Sequence, residues 1–280
     1  MIGLDPHSRR AYGLVSAAAG LWRNRRLLRD LTWREISGRY RGSWLGLAWS
    51  ILTPLLMLAV YTFVFSVVFE ARWSAAVVPG GKFDFALFVF VGVVLHGVLA
   101  EAITRSPGTV LGNANYVKKV IFPLELLPVT VVGAALFHAL LAFAILLAAV
   151  LLLGGGLHWT LLWLPVLVLP LLLMALGLAW GLAALGVFLR DTAQVTGVLA
   201  MVLMFLAPVF YPVTALPGHL RGWLYLNPLT FVIEQARAVV FAGQAPDLPM
   251  LALFSGVALV VAQLGYGFFQ KSRNGFADVL

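Results

Sequence analysis

The chain has 280 residues, 62% of them hydrophobic and 11% charged, with a mean hydropathy of +0.98 and a formal net charge of +8. Soluble domains carry about 45–50% apolar and about 25% charged residues, so this composition excludes a soluble enzyme, a disordered chain and a collagen-like repeat, and predicts an all-α integral membrane protein. The lack of cysteine excludes disulfides, thiolate metal sites and cysteine nucleophiles, and the basic surplus is assigned to cytoplasmic segments rather than to nucleic-acid binding.

Residues 1–43 are too polar to span a bilayer, which takes about 20 apolar residues. They hold nine arginines (Arg9, Arg10, Arg23, Arg25, Arg26, Arg29, Arg34, Arg39, Arg41), and no apolar run follows the basic start, so no cleaved signal peptide is expected. Within them the stretch 21–43, LWRNRRLLRDLTWREISGRYRGS, is amphipathic. It reads either as a basic flank lying on anionic lipid or as an interfacial helix that also receives a lipid phosphate. Gly38, Gly42 and Gly46 recur every four residues, which suits either a shared helix face for close packing or a bend between the surface helix and the first span.

Six spans are predicted: 44–69, 85–104, 126–153, 160–189, a fifth that starts at Thr192 and meets Pro208 and Pro212, and 248–269. A polar connection, 70–84, follows the first. The N-terminus, the 105–125 loop (Arg105, Lys118, Lys119), Arg190 and the C-terminal Lys271 and Arg273 hold 15 of the 19 Lys and Arg residues. Arg72, Lys82, Arg221 and Arg237 fall on the other side. The positive-inside rule therefore puts both termini in the cytoplasm, with Trp73, Trp159, Trp163 and Trp223 near the outer interface and Trp44 near the inner one. The segment 208–247 is too apolar for an ordinary loop, and its five prolines cut it too often for a span. Short helices that re-enter the membrane from outside fit it best.

The cytoplasmic stretch 113–123, NANYVKKVIFP, is more apolar than a solvated loop needs, so its helix should dock on its own bundle or on a partner. Glu101 and Arg105, four apart, are expected to pair or to snorkel, and His96 and His138 to pack or hydrogen-bond. No HExxH or GxSxG motif is present, so no metal site is predicted, and Gly80-Gly81-Lys82 is followed by Phe83 where a phosphate loop needs Ser or Thr. No acidic relay runs along the spans, so the chain shows no energy source of its own. A secondary carrier or scramblase would need such a relay or a self-contained groove, and an intramembrane enzyme would need convergent acids or a nucleophile.

Five blocks in order, WREISGRYRGSWLGLAWSILTPLLMLAVYTFVFSVVF (33–69), NANYVKKVIFPLELLPV (113–129), FLRDTAQ (188–194), PVFYPVTALPGHLRGWLYLNPLT (208–230) and FFQKSRNGFADVL (268–280), resemble the permease subunit of bacterial polysaccharide-exporting ABC transporters. Within that family the likeness is to the lipopolysaccharide O-antigen branch, with teichoic acid or capsule export as the alternative. The resemblance implies a homodimer in the inner membrane, with two copies of a separate ATPase that binds ATP and Mg, no cofactor in this chain, and a polyprenyl-diphosphate-linked polysaccharide as cargo. It divides the chain into a cytoplasmic N-terminus with a gate helix (1–43), a six-span domain (44–270) and a cytoplasmic tail (271–280).

The resemblance also assigns candidate residues. Asn113, Tyr116, Val117, Lys118, Lys119, Phe122 and Pro123, with Arg190 and Asp191, would couple to the ATPase. A diphosphate cannot cross hydrocarbon uncompensated, so Arg34, Arg39 and Arg41, with the bend at Gly38, Gly42 and Gly46, are candidates for receiving it; the arginine fork is bidentate toward phosphate. Trp49, Tyr61, Phe65, Phe88, Phe205, Phe210 and Tyr211 are candidates for lining the glycan path or its outer mouth, where flat rings suit the apolar faces of sugars.

Overall fold

The computed structural model describes residues 12–68, 84–119, 122–153 and 156–280. Arg9, Arg10, Arg72, Trp73, Lys82, the Gly80-Gly81 pair and most of the 70–84 connection lie outside the described residues. Among the described residues every regular element is helical.

The amphipathic region is two helices rather than one. α1 (Leu14–Arg23) and α2 (Arg25–Gly38) meet at Asn24, whose Nδ2 donates to the Gly20 carbonyl at 2.9 Å and so competes with continued helix. The region starts earlier than residue 21 because α1 is itself amphipathic and docks. Gln263 anchors its start, accepting from Leu14 N at 3.0 Å and donating to the Tyr12 carbonyl at 2.8 Å. α2 lies across α6 (Leu126–Leu152), and Gly133 is what lets it approach: a Cβ there would sit 2.9 Å from Thr32 Cγ2.

The glycine triplet does not form a packing face. α2 ends at Gly38, and Gly42 and Gly46 take φ of +83° and +51°, with open space beside all three. Positive φ is easy for glycine and costly for residues with a Cβ, so these residues make the bend. Beyond it the chain runs into α3 (Trp49–Thr62), which continues as a wider turn over Phe63–Val68.

Among the described residues five apolar helical stretches are long enough to cross a membrane: Gly46–Phe65, Phe85–Gly108, Leu126–Leu152, Trp159–Phe188 and Leu248–Val279. They contain α3, α4 (Asp84–Arg105), α6, α7 (Leu164–Phe188) and α11 (Leu248–Ser272). α4 is the central pillar; its Phe90, Leu95, Leu99 and Ile103 are completely enclosed. α7 and α11 touch backbone to backbone at Gly177, Ala262 and Gly265, an approach that the missing side chains allow.

The expected fifth span is shorter than predicted. Its helix, α8 (Thr192–Phe205), has 14 residues, about 21 Å at 1.5 Å per residue, because the chain turns at Leu206 ahead of Pro208. His96 ties it to α4 by donating Nε2–H to the Ala200 carbonyl at 2.9 Å. After the turn come the exposed α9 (Gly218–Leu224) and the buried α10 (Pro228–Arg237). Asn227 caps α10 by accepting from Leu229 N and also donates to the Leu203 carbonyl.

Arg237, only 3% exposed, secures this region. It donates to the carbonyls of Phe88 at 3.0 Å, Pro208 at 2.6 Å and Val209 at 2.8 Å, and to Glu234 Oε1 at 3.2 Å. The turn at 207–209 frees carbonyls that no helix satisfies, and an uncompensated carbonyl in an apolar core is costly. Arg237→Met is therefore expected to lower the thermal unfolding midpoint in detergent strongly, by the equivalent of about 3–5 kcal/mol for a broken buried pair. Arg237→Lys should recover only part of the loss, since an ammonium lacks the fork.

Candidate functional site

The charged cluster of the bundle lies where α2 crosses the end of α4. Glu35 and Arg39 stand one turn apart at the end of α2, and Glu101 and Arg105 one turn apart at the end of α4. The pairs cross: Arg105 bridges Glu35, and Arg39 bridges Glu101. Each helix carries acid then base, so the pairing is complementary when the two turns meet head to tail. Arg105 Nη1 also lies 3.5 Å from Glu101 Oε1 within α4.

His138, from α6, completes the cluster. Arg39 Nη1 is 3.2 Å from its Nδ1, and the Tyr40 hydroxyl is 3.0 Å from its Nε2. A guanidinium only donates. Nδ1 therefore accepts, the ring is neutral, and Nε2–H donates to the Tyr40 oxygen. Burial, followed by repulsion from Arg105, pulls the Arg39 guanidinium down to about 10, so it remains charged at neutral pH. A cavity of about 320 Å³ opens beside Arg39, Tyr40, Glu101 and His138 and runs between α3, α4 and α6 past Met57 and Phe90. Its charged floor and hydrocarbon walls suit an amphiphile with an anionic head.

The three arginines singled out from the sequence do not converge. Arg39 is engaged by Glu101 and His138. Arg34 turns to the 113–123 loop, donating Nη1–H to the Tyr116 hydroxyl at 3.0 Å with its guanidinium 5.9 Å from that ring. Arg41 is exposed in the glycine bend.

The loop carries α5 (Ala114–Lys119), which Lys118 and Lys119 close. Its apolar face turns inward. Tyr116 stacks on Phe122, centroids 4.4 Å apart and planes 10° from parallel, and both pack with Val117 against a lower core that includes Phe276. Arg273 pins the loop from the tail, through Glu125 Oε2 at 3.1 Å and the Phe122 carbonyl at 3.2 Å. Asn113 caps backward onto the Thr109 carbonyl, Pro123 is half-buried, and Arg190 and Asp191 are exposed in the turn between α7 and α8. Val120 and Ile121 lie outside the described residues.

Four of the aromatic candidates form a ladder: Tyr61 to Phe65 at 6.4 Å, Phe65 to Phe210 at 6.2 Å, and Phe210 to Phe205 at 6.1 Å. Tyr211 donates to the Phe205 carbonyl, and Trp49 is half-buried at the start of α3. Phe88 is not a lining residue. It is 5% exposed, stacked on Phe241 at 4.4 Å and covered by Arg237, because that part of α4 faces the core. Sequence reasoning passed over Glu35, Tyr40 and Arg237 as members of a site. The repeated acid-x-x-x-base spacing at 35/39 and 101/105 was the signal for the first.

Comparison with known proteins adds an independent line. The family model for ABC-2 type transporters matches residues 26–241. The chain is similar to the O-antigen export system permease protein RfbA of Myxococcus xanthus, at 29% identity over 95% of this chain and 99% of that one. A protein of the same description from Klebsiella pneumoniae is 24% identical over 91% of this chain and 95% of its own length.

Reversing one charge tests the crossed pairs. Glu35→Arg sets two cations against each other and should lower the thermal midpoint, whereas Glu35→Arg with Arg105→Glu should restore most of it. A double-mutant cycle is expected to give a coupling of about 1–2 kcal/mol for this half-buried pair.

Proposed function

The chain belongs to the ABC-2 type transporter family, and on that premise we propose that it is the permease subunit of an ATP-driven exporter of O-antigen polysaccharide. It is a multi-pass membrane protein that works in the bacterial inner membrane as a homodimer. Two copies of a partner ATPase bind ATP and Mg, and the cargo is a glycan carried on a polyprenyl diphosphate. Both termini are cytoplasmic. The short helix α8 is the fifth of six spans, and residues 208–247 re-enter the membrane from outside. Support for the last point comes from α10: its ten residues reach about 15 Å, half of a hydrocarbon core of about 30 Å, yet it is buried beside α4.

The observation that carries the reading is the double attachment of α2. Arg34 ties it to the cytoplasmic loop, and the crossed ion pairs tie it to the base of α4. A motion of the ATPase against residues 113–123 would pass through Tyr116 to α2 and part Arg39 from Glu101. Arg39 would then be free to meet a phosphate at the mouth of the charged-floor cavity. In this reading α2 is a gate held shut by its own counter-ions. The inward-packed Tyr116 and Phe122 transmit force, and the outer side of α5 docks on the partner.

The first test is association: the ATPase should co-purify with the detergent-solubilised chain, and a permease that never retains one sinks the reading. Coupling is tested by Tyr116→Phe, which keeps the Phe122 stack and loses the Arg34 bond. Export is expected to fall about threefold to tenfold, on the order of 1 kcal/mol for one hydrogen bond, with ATPase binding unchanged. Unaltered export would show that the tie carries no force. Topology is tested on the cysteine-free background: Gly218→Cys should react with a membrane-impermeant maleimide from outside only, and Ser272→Cys from inside only.

A further inference from the structure

A second cavity, of about 380 Å³, lies away from the charged cluster, between α8 and α11 with α4 and α7 behind it. Met250, Leu253, Phe254, Val257 and Val261 line it along one face of α11, and Leu199 and Leu203 along α8. From Met250 to Val261 is eleven residues, about 16 Å of helix. Over that length the slot offers an unbroken apolar groove that one extended hydrocarbon chain can follow. Its walls are hydrocarbon except for Tyr225, at the end marked by Leu226, Pro228 and Met250.

The lining decides the occupant. A buried water needs two to four polar partners, and Tyr225 supplies one hydroxyl. A peptide segment would bring backbone groups that nothing there satisfies. An empty void of this size forfeits packing on every wall. Leu199, Leu253 and Val257 are substantially exposed at the rim, on helices that are apolar all round. The slot is therefore open sideways to the bilayer, where acyl chains are the solvent. Tyr225 stands where an amphipathic ring suits a headgroup boundary.

We propose that this slot is a binding site for one acyl chain of a membrane phospholipid, inserted between α8 and α11 with its head beside Tyr225. The lipid completes the packing of α8, whose opposite side carries the exposed Met201 and Phe205. The site is separate from the charged cluster, and nothing in it recognises a sugar or a diphosphate.

The test uses the purified full chain in mild detergent, with bound phospholipid counted by native mass spectrometry after exchange into phosphatidylethanolamine. Val257→Trp and Leu199→Trp fill the slot from opposite walls, and Leu259→Trp places the same ring on the exposed side of α11 away from the slot. Wild type and Leu259→Trp should retain one tightly held lipid per protomer, and the two filling variants should lose it by about tenfold in affinity. Equal retention by all four overturns the proposal. A measurement that needs no variant is photocrosslinking of the wild-type chain in vesicles of phosphatidylethanolamine with a diazirine in the tail. Adducts concentrated on residues 199–203 and 250–261 support the site, and adducts spread evenly over the lipid-facing surface overturn it. Neither readout involves export, so failure here leaves the permease reading intact.

Discussion

A charge taken out of water at the edge of a bilayer must find a partner, and the crossed pairs of Glu35, Arg39, Glu101 and Arg105 show how much follows from that one requirement. Desolvation of a single ion costs several kcal/mol, and removing one partner of a buried pair leaves that cost uncompensated. Four half-buried charges on two helices therefore admit few arrangements, and the head-to-tail meeting of acid-x-x-x-base turns is one in which all four are satisfied. This places the end of α2 against α4. His138 and Tyr40 extend the same constraint to α6. Once α2 is held there, the chain has only Arg39 to Ala48 in which to turn into α3. The positive φ values of Gly42 and Gly46 are the local consequence.

The opposite end of the bundle obeys the same rule with a different device. Arg237 collects the carbonyls released by the turn before α9, and so fastens α10 to the core of α4. Between these polar anchors the packing is apolar, and its closest contact comes from the absence of side chains at Gly177 and Gly265. The two ends differ in what they permit. The Arg237 knot is fully enclosed and consists mostly of backbone carbonyls, which no solvent or ligand replaces cheaply. The Arg39–Glu101 pair borders a cavity and joins side chain to side chain, so an anion at the cavity mouth competes with the carboxylate directly. A rigid end at Arg237 and an exchangeable end at Arg39 fit the gate proposed for α2.

α3 and α8 each present a broad exposed apolar face. Ile51, Leu55, Leu56 and Val60 on the first, and Val198, Met201 and Val202 on the second, face away from their own core. In the proposed homodimer these faces meet lipid or the second copy, and the ladder from Tyr61 to Phe205 runs between them. In that assembly a path wide enough for a polysaccharide would be shared between the two copies.

Much of this was legible from the residues alone. Hydrocarbon thickness imposes a length on any apolar helix, so of the six spans expected from the apolar runs and their polar stops, five correspond to helices among the described residues that are long enough to cross a membrane, with α-helix ends within a few positions of the expected ones. Charge asymmetry, the proline-cut segment after Thr192 and the apolar face of 113–123 were visible for similar reasons, being properties of short windows. Tertiary structure decided the rest. It made a bend of the Gly38-Gly42-Gly46 triplet, which spacing alone left open between a bend and a packing face. It turned Phe88 inward, sent Arg34 to Tyr116 and Arg39 to Glu101, and made Arg237 a structural knot. Each of these depends on which group a side chain meets across a helix boundary. Periodicity and composition describe a helix's own surface, but a charge or a ring acquires its role from the surface opposite, which the chain reaches only 28 (Arg237 to Val209) to 149 (Arg237 to Phe88) residues away.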